Sequence, residues 1–452
     1  MSNFKIYSDS VNYTATVIKL PIKQKIENLD NLVKVTVFGN DCLISKNSDE
    51  NELYLFFPSG TQLSEKFLKG NNLYRDNQLN IDTNQKGFFE VNGRVKAIKF
   101  KQIISAGFII SIDSLKNLWE HDIYKDYHYS DICRLEEGME FNEFFGIEVC
   151  KKYMIKQEIT PGVKKDRISK INDKLSSLLI PNQFRFHSDT QHLAKNLHEI
   201  HPEDIITITD KWHGSSCILS EVLIHKKLTL YQKLLNLIGG KIPIKDYGYI
   251  YSSGKPKSNL PKGIVGNWVN NNGNFYTSNI WERAFNDYKY ALNPGISIYG
   301  ELVGFEENGS AIQKGYDYKC SPNTEMGDMY RFVVYRITYT KPDGNIIEFT
   351  WSQMIEYCSL YGLETVKLIY FGSAGDFVKE YTDQNFQEIF FNKVQNLVES
   401  VGNCVYCMNS VPSEGVVIRK DGGKAFKLKS KLFLKNESDS LDKGEINIED
   451  IN

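Results

Sequence analysis

Over the first 113 residues the apolar and polar positions fall into short runs. Leu32–Val37, Leu53–Phe57 and Val95–Phe100 are strand-like stretches, and turn signals lie at Gly39–Asn40, Pro58–Gly60 and Asn92–Gly93. A strand repeats every two residues, so such runs present one apolar face to a core. No long helical period interrupts them. A small OB-like β-barrel over residues 1–114 is therefore expected, although other small β domains share the pattern. From Leu115 the pattern is mixed and charges cluster, as at Lys164–Arg167. This predicts a partly helical connector over residues 115–183. Residues 184–435 alternate strands (Ile205–Thr209, Ile296–Tyr299, Phe332–Tyr339, Gly415–Ile418) with helical stretches (Leu228–Leu237, Asn385–Val401). That alternation predicts an α+β domain with much antiparallel sheet. Residues 436–452 read as a mobile acidic tail.

Composition narrows the function classes only a little. A chain of 452 residues exceeds one ordinary core, consistent with two unequal domains. Its 54 basic and 56 acidic residues nearly cancel, so any nucleic-acid site must come from local clustering. In the N-terminal region the densest cations are Arg94, Lys96, Lys99 and Lys101. The chain start is polar and no long apolar run occurs, so neither a signal peptide nor a membrane partner is expected. Eight scattered cysteines suggest reduced thiols and a cytoplasmic protein, taken to be a monomer. Cys404 and Cys407 form a lone CxxC, which reads as two buried thiols near a turn in preference to a zinc site.

Four short motifs carry the candidate chemistry. Asp210-Lys211-Trp212-His213-Gly214-Ser215-Ser216 follows a β-branched strand, and a lysine there can point its amine into a cleft. Ile298-Tyr299-Gly300-Glu301-Leu302 ends an apolar strand on a carboxylate. Ser413-Glu414-Gly415-Val416-Val417-Ile418-Arg419 places a second carboxylate just before a buried strand. In Ala425-Phe426-Lys427-Leu428-Lys429-Ser430, alternation puts Lys427 and Lys429 on one face. Two neighbouring cations call for an anion between them, and a phosphate is the obvious occupant. Each motif alone has an ordinary structural reading: a turn, a solvated strand-end glutamate, a basic edge strand. Their order and spacing together do not.

The set resembles the covalent nucleotidyltransferases: DNA ligases, RNA ligases and mRNA-capping enzymes. The likeness spans Phe184 to Leu434 and rests on a K-x-D/H-G motif at Lys211 and on Glu301, Glu414, Lys427 and Lys429. It implies a ligase-type nucleotidyltransferase domain with flanking helices over residues 184–435. It also implies a lysyl-AMP intermediate on Lys211, an adenylated 5′ end, and joining to a 3′-hydroxyl. ATP is the implied cofactor, with Mg2+ or Mn2+ held through Glu301 and Glu414. Asp210, Gly214, Ser252, Lys255, Glu301, Tyr335, Glu414, Lys427 and Lys429 would bind the nucleotide. Tyr335 would stack on adenine, with Phe332 as the alternative.

Three features resemble the RNA-ligase branch: His213 in the aspartate position, only a short segment after Ser430, and a β domain before the catalytic one. Lys101–Gly107 and Gln183–Thr190 are similar to segments of the Deinococcus and Naegleria type, RNA ligases with an N-terminal OB domain. RNA, or an RNA-containing nicked duplex, is the implied partner. The chain departs from that family at Lys255, where arginine is usual, and at Arg336, where an acid is. The alternatives are a DNA ligase, a capping guanylyltransferase, or a nucleic-acid-binding protein with an inactive transferase domain.

Overall fold

The computed structural model describes residues 4–27, 29–119, 129–155, 179–187, 190–226, 228–253 and 280–445, so Lys164–Arg167 and Lys255 lie outside the described residues. The architecture is mixed α+β with several antiparallel sheets. Two sheets position the candidate site. The first runs in the order Gln191–His192, Ala425–Lys429, Gly415–Lys420, Ile205–Lys211, Leu368–Ser373. Its pairings are antiparallel except for the parallel Gln191–His192 edge. The second runs Lys245–Ser253, Ser215–His225, Ile296–Gly304, Tyr330–Thr340, Ile346–Glu348, all antiparallel, with Glu364–Thr365 added in parallel.

Side-chain alternation sorts each strand. In Ile205–Lys211, Ile206 and Ile208 join Val416, Ile418, Phe426 and Leu428 in a core with the helix Phe386–Val401. Burying one such aliphatic or aromatic side chain contributes about 1.5–3 kcal/mol. The opposite positions Thr207, Thr209, Lys211, Val417 and Arg419 line a cleft. The second sheet packs Cys217, Leu219, Ile298, Leu302 and Val334 against the helices Ile280–Tyr288 and Trp351–Tyr361. The latter helix starts at a Thr350–Gln353 capping box and stops at left-handed Gly362. Glu301 and Tyr335 of this sheet reach the same cleft.

The N-terminal strands form separate small sheets, and among the described residues none closes into a barrel, which corrects the barrel expected over residues 1–114. One sheet runs Gly107–Ser111, Leu53–Pro58, Ala15–Lys19, Glu140–Phe141; another runs Gln24–Lys25, Leu32–Val37, Asn40–Ser45. They enclose two cores: Phe57, Phe67, Phe141 and Phe144 in one, Val35, Val37, Cys42 and Phe56 in the other. Strand pairing by Glu140–Phe141 with Ala15–Lys19 and by Cys150–Lys152 with Thr61–Leu63 draws part of the expected connector into this region. The expected strand Val95–Phe100 is a strand only from Ile98, because Val95 N–H bonds the Thr61 carbonyl and Ala97 N–H the Ser438 hydroxyl. Of the segment read as a tail, residues 446–452 lie outside the described residues, and residues 436–442 belong to the helix Lys431–Asp442, capped by Ser430. Its Asp442 receives the side chains of Arg94 and Lys96.

Candidate active site

Lys211 ends its strand, in register with Gly415. Its Nζ lies 2.7 Å from Glu414 Oε1, and Lys429 Nζ is 3.6 Å from the same oxygen. His213 Nδ1 approaches the other oxygen at 3.7 Å. Glu414 is only 3% exposed. Burial pushes its carboxyl up, but Lys211, Lys429 and His213 together outweigh that and hold it below the ordinary carboxylate range. Lys429 also pairs with Glu437 of the Lys431–Asp442 helix at 3.0 Å. In this state, therefore, carboxylates occupy the place by Lys429 where a phosphate was expected. Lys427 shares the strand face of Lys429, while Phe426 and Leu428 face the core; its register partners are His192 and Val417.

Two motif glycines are demanded by close approach. A Cβ at Gly300 would lie 2.5 Å from the Phe332 ring, and alternation along Ile296–Gly304 points Glu301 away from the core of Ile298 and Leu302 and into the cleft. A Cβ at Gly415, whose φ is +140°, would lie 2.0 Å from the Leu428 carbonyl and would part the strands carrying Glu414 and Lys429.

The cleft is lined by Asp210, Lys211, Glu301 and Tyr335 among the expected residues. The Asp210 carboxylate accepts the Tyr406 hydroxyl. Burial raises its carboxyl above the ordinary range, against the opposing effect of that hydrogen bond. Trp212 stacks between Tyr318 and Tyr406, at ring distances of 4.5 and 5.3 Å. Tyr335 keeps its hydroxyl 3.2 Å from Ser216 Oγ and meets the His187 ring edge-on. Phe332 is not a second stacking candidate: it is 1% exposed and packs on Tyr288 in the core beneath the sheet. Ser252 is buried with its hydroxyl donated to the Ser253 carbonyl, and it does not line the cleft. Gly214 contributes its carbonyl, which accepts Gln313 Nε2 at 2.9 Å.

At the position where an acid was expected, Arg336 donates two bonds to Glu348, at 2.6 and 2.7 Å. Glu348 also holds the cleft-lining Arg419 at 3.4 Å. The carboxylate is present, but it comes from a neighbouring strand. Sequence reasoning also missed Thr207, Thr209, Trp351 and Tyr406. Period-two alternation in Ile205–Thr209 was a signal for the threonines; Tyr406 offered none. No group of three or more His, Cys, Asp or Glu side chains capable of holding a metal occurs among the described residues. Cys404 and Cys407 are both half-buried thiols in a loop, not fully buried ones. No described helix is long and apolar enough to cross a membrane.

A family model described as RNA ligase matches residues 204–432, half of the chain. A search of curated proteins found no match. Among solved structures, a Naegleria gruberi RNA ligase variant with ATP and Mn aligns with a TM-score of 0.53 at 13% identity, covering 95% of this chain and 100% of that one. A second variant of the same protein, with AMP and Mn, gives a TM-score of 0.51 at 12% identity, covering 93% of this chain and 98% of that one. At such identity the likeness carries the fold and no residue roles.

Proposed function

Because the chain belongs to the RNA ligase family of ATP-dependent polynucleotide ligases, we propose that it seals 3′-hydroxyl and 5′-phosphate ends in nicked, RNA-containing duplexes through AMP carried on Lys211. The observation that carries this reading is the Lys211 amine at the mouth of a cleft holding Tyr335 and Glu301, with its charge answered by buried Glu414. Lys211 attacks the α-phosphorus of ATP and pyrophosphate leaves. The AMP then passes to a 5′-phosphate, and a 3′-hydroxyl displaces it.

Attack requires an uncharged amine, so the ion pair with Glu414 must open or surrender a proton when ATP enters. Lys429 is placed to answer phosphate charge once Glu414 is drawn elsewhere, and Lys427 lies on the same strand face. Tyr335 offers the nucleobase a flat face. Arg419, tethered by Glu348, adds a fixed cation to the cleft wall.

Two of the Naegleria structures contain Mn together with ATP or AMP. Here Glu301 and Glu414 fit Mg2+ or Mn2+ only as part of a shell that phosphate oxygens and waters complete, since no three-residue cage exists among the described residues. When bound, such an ion neutralises phosphate charge. The N-terminal sheets would grip the duplex. Lys99 and Lys101, both exposed on the hairpin of Ile98–Phe100 with Ile103–Ser105, are the cations placed for that task.

The test is twofold. Incubation with labelled ATP or GTP should mark Lys211 with AMP only. A nick-sealing matrix with RNA or DNA on each side should show an RNA requirement. GTP labelling would instead indicate a capping enzyme, and equal sealing of all-DNA nicks a DNA ligase.

A further inference from the structure

The lone Cys404–Cys407 pair is not absorbed by the ligation chemistry, yet it lies one hydrogen bond from the nucleophile's neighbour. The intervening Tyr406 donates its hydroxyl to Asp210 and stacks on Trp212, the residues flanking Lys211. The loop is pinned on both sides. Cys404 N–H bonds the Val411 carbonyl, and Asp317 receives the N–H groups of Met408 and Asn409. It then runs directly into Ser413 and Glu414. Its surface is open, with Val405 64% and Met408 70% exposed.

The two thiols stand three residues apart in this pinned loop, and both are free and half-buried. The neighbouring Cys407 thiol first, with the backbone N–H groups of Tyr406 and Cys407, lowers the Cys404 thiol to about 7 against the effect of burial and of Asp210. Burial pushes Cys150 and Cys320 the opposite way, to about 12 and about 11. A thiolate, not a thiol, attacks disulfides.

We propose that Cys404 and Cys407 are a dithiol modification site which reacts with small-molecule disulfides and thereby sets the rate at which Lys211 is charged with AMP. This rests on the reading of Lys211 as the nucleophile. The Cys404 thiolate attacks a disulfide RSSR, giving a mixed disulfide and releasing RS−, which takes up a proton. The Cys407 thiol loses its proton and attacks the Cys404 sulfur, expelling the second RS−. In sum two protein thiols are oxidised to one disulfide and RSSR is reduced to two RSH. Closing an S–S bond of about 2.05 Å draws the two sulfurs together around Tyr406. That displaces its hydroxyl from Asp210 and leaves a half-buried carboxylate unsatisfied beside Lys211. Loss of a hydrogen bond to a charged group corresponds to about tenfold in rate.

The full chain is treated with glutathione disulfide or with dithiothreitol. Intact mass and peptide mapping read the bond, as a loss of about 2 Da confined to the Cys404–Cys407 peptide. AMP incorporation from labelled ATP reads charging. The oxidised protein should charge about tenfold more slowly and recover with dithiothreitol. Cys404→Ser and Cys407→Ser should charge like the reduced protein and ignore the oxidant. Tyr406→Phe should charge slowly in either state. Failure of the reduced protein to label Lys211 would overturn the ligase reading itself. Normal labelling of the reduced protein, combined with no Cys404–Cys407 bond or with a bond that leaves charging unchanged, would overturn the switch alone.

Discussion

Acidifying the solution from about pH 7.5 to about pH 5.5 should destabilise the fold by about 1.4 kcal/mol through the single side chain of His192. His192 sits on the edge strand beside Lys427, with its Nδ1 buried. Burial, followed by the nearby Lys195, Lys427 and Lys429, lowers its imidazole from 6.5 to about 3. The native state therefore keeps it neutral, while the unfolded chain protonates it below its ordinary value. Between those two values the unfolded state binds more protons, so stability falls as pH falls. The loss begins near the ordinary value of 6.5, grows by about 1.4 kcal/mol per pH unit, and ends near the folded value. Urea unfolding at several pH values measures it. The His192→Gln variant removes the titrating group, while the backbone N–H of residue 192 keeps its bond to Asn12 Oδ1. All other histidines are common to both proteins, so the difference isolates this one. Parallel pH profiles for wild type and His192→Gln would refute the argument.

Lys211→Ala should abolish AMP labelling. Because Glu414 then keeps only Lys429 and His213, it should also cost about 1–2 kcal/mol in a thermal melt, less than a fully stranded buried charge would. Glu301→Ala should slow both charging and sealing of pre-adenylated nicks by orders of magnitude, each factor of ten being about 1.4 kcal/mol of barrier; wild-type rates in both assays would remove Glu301 from the site. Tyr335→Ala should raise the ATP concentration needed for half-maximal charging far more than it lowers the saturated rate, as expected of ground-state stacking. Lys99→Glu with Lys101→Glu should weaken binding to nicked duplex and flatten its salt dependence, leaving AMP labelling untouched.

What could be read from the sequence was what period two and close packing impose locally. The strands carrying Lys211, Glu301, Glu414 and Lys429 alternate cleanly, and Gly300 and Gly415 stand where no Cβ fits. What could not be read depends on who arrives from elsewhere. Arg336 looked like a lost acid because Glu348, on the adjoining strand, is invisible as its partner in a linear motif. Phe332 and Tyr335 looked interchangeable as aromatics of one strand, yet three positions apart they face opposite ways, Phe332 into the core and Tyr335 into the cleft. The barrel was over-read for a related reason. Two-residue strands such as Glu140–Phe141 show no periodicity, so their pairing with Ala15–Lys19 left no trace in the pattern.

The Lys431–Asp442 helix gives the clearest case of a segment whose charge pattern suggested solvent and whose contacts assign it a mechanical place. At one end Lys431 reaches Asp41 and its N–H meets Glu399. In the middle Glu437 holds Lys429, while the Ser438 hydroxyl accepts the Ala97 N–H and the Ser438 carbonyl accepts the Arg94 guanidinium. At the other end Asp442 takes Arg94 and Lys96. Gln395 adds a further tie to the Gly39 carbonyl at 2.7 Å. Arg94 is 4% exposed, and besides Asp442 it keeps the Ser438 carbonyl and the Tyr153 ring as partners. The N-terminal sheets are therefore not an appendage that can be cut away without disturbing the site. The residue that pairs with Lys429 and the residues that anchor the N-terminal cations share one helix, so the contacts that hold the N-terminal sheets and the cation facing Glu414 are made by the same twelve-residue element.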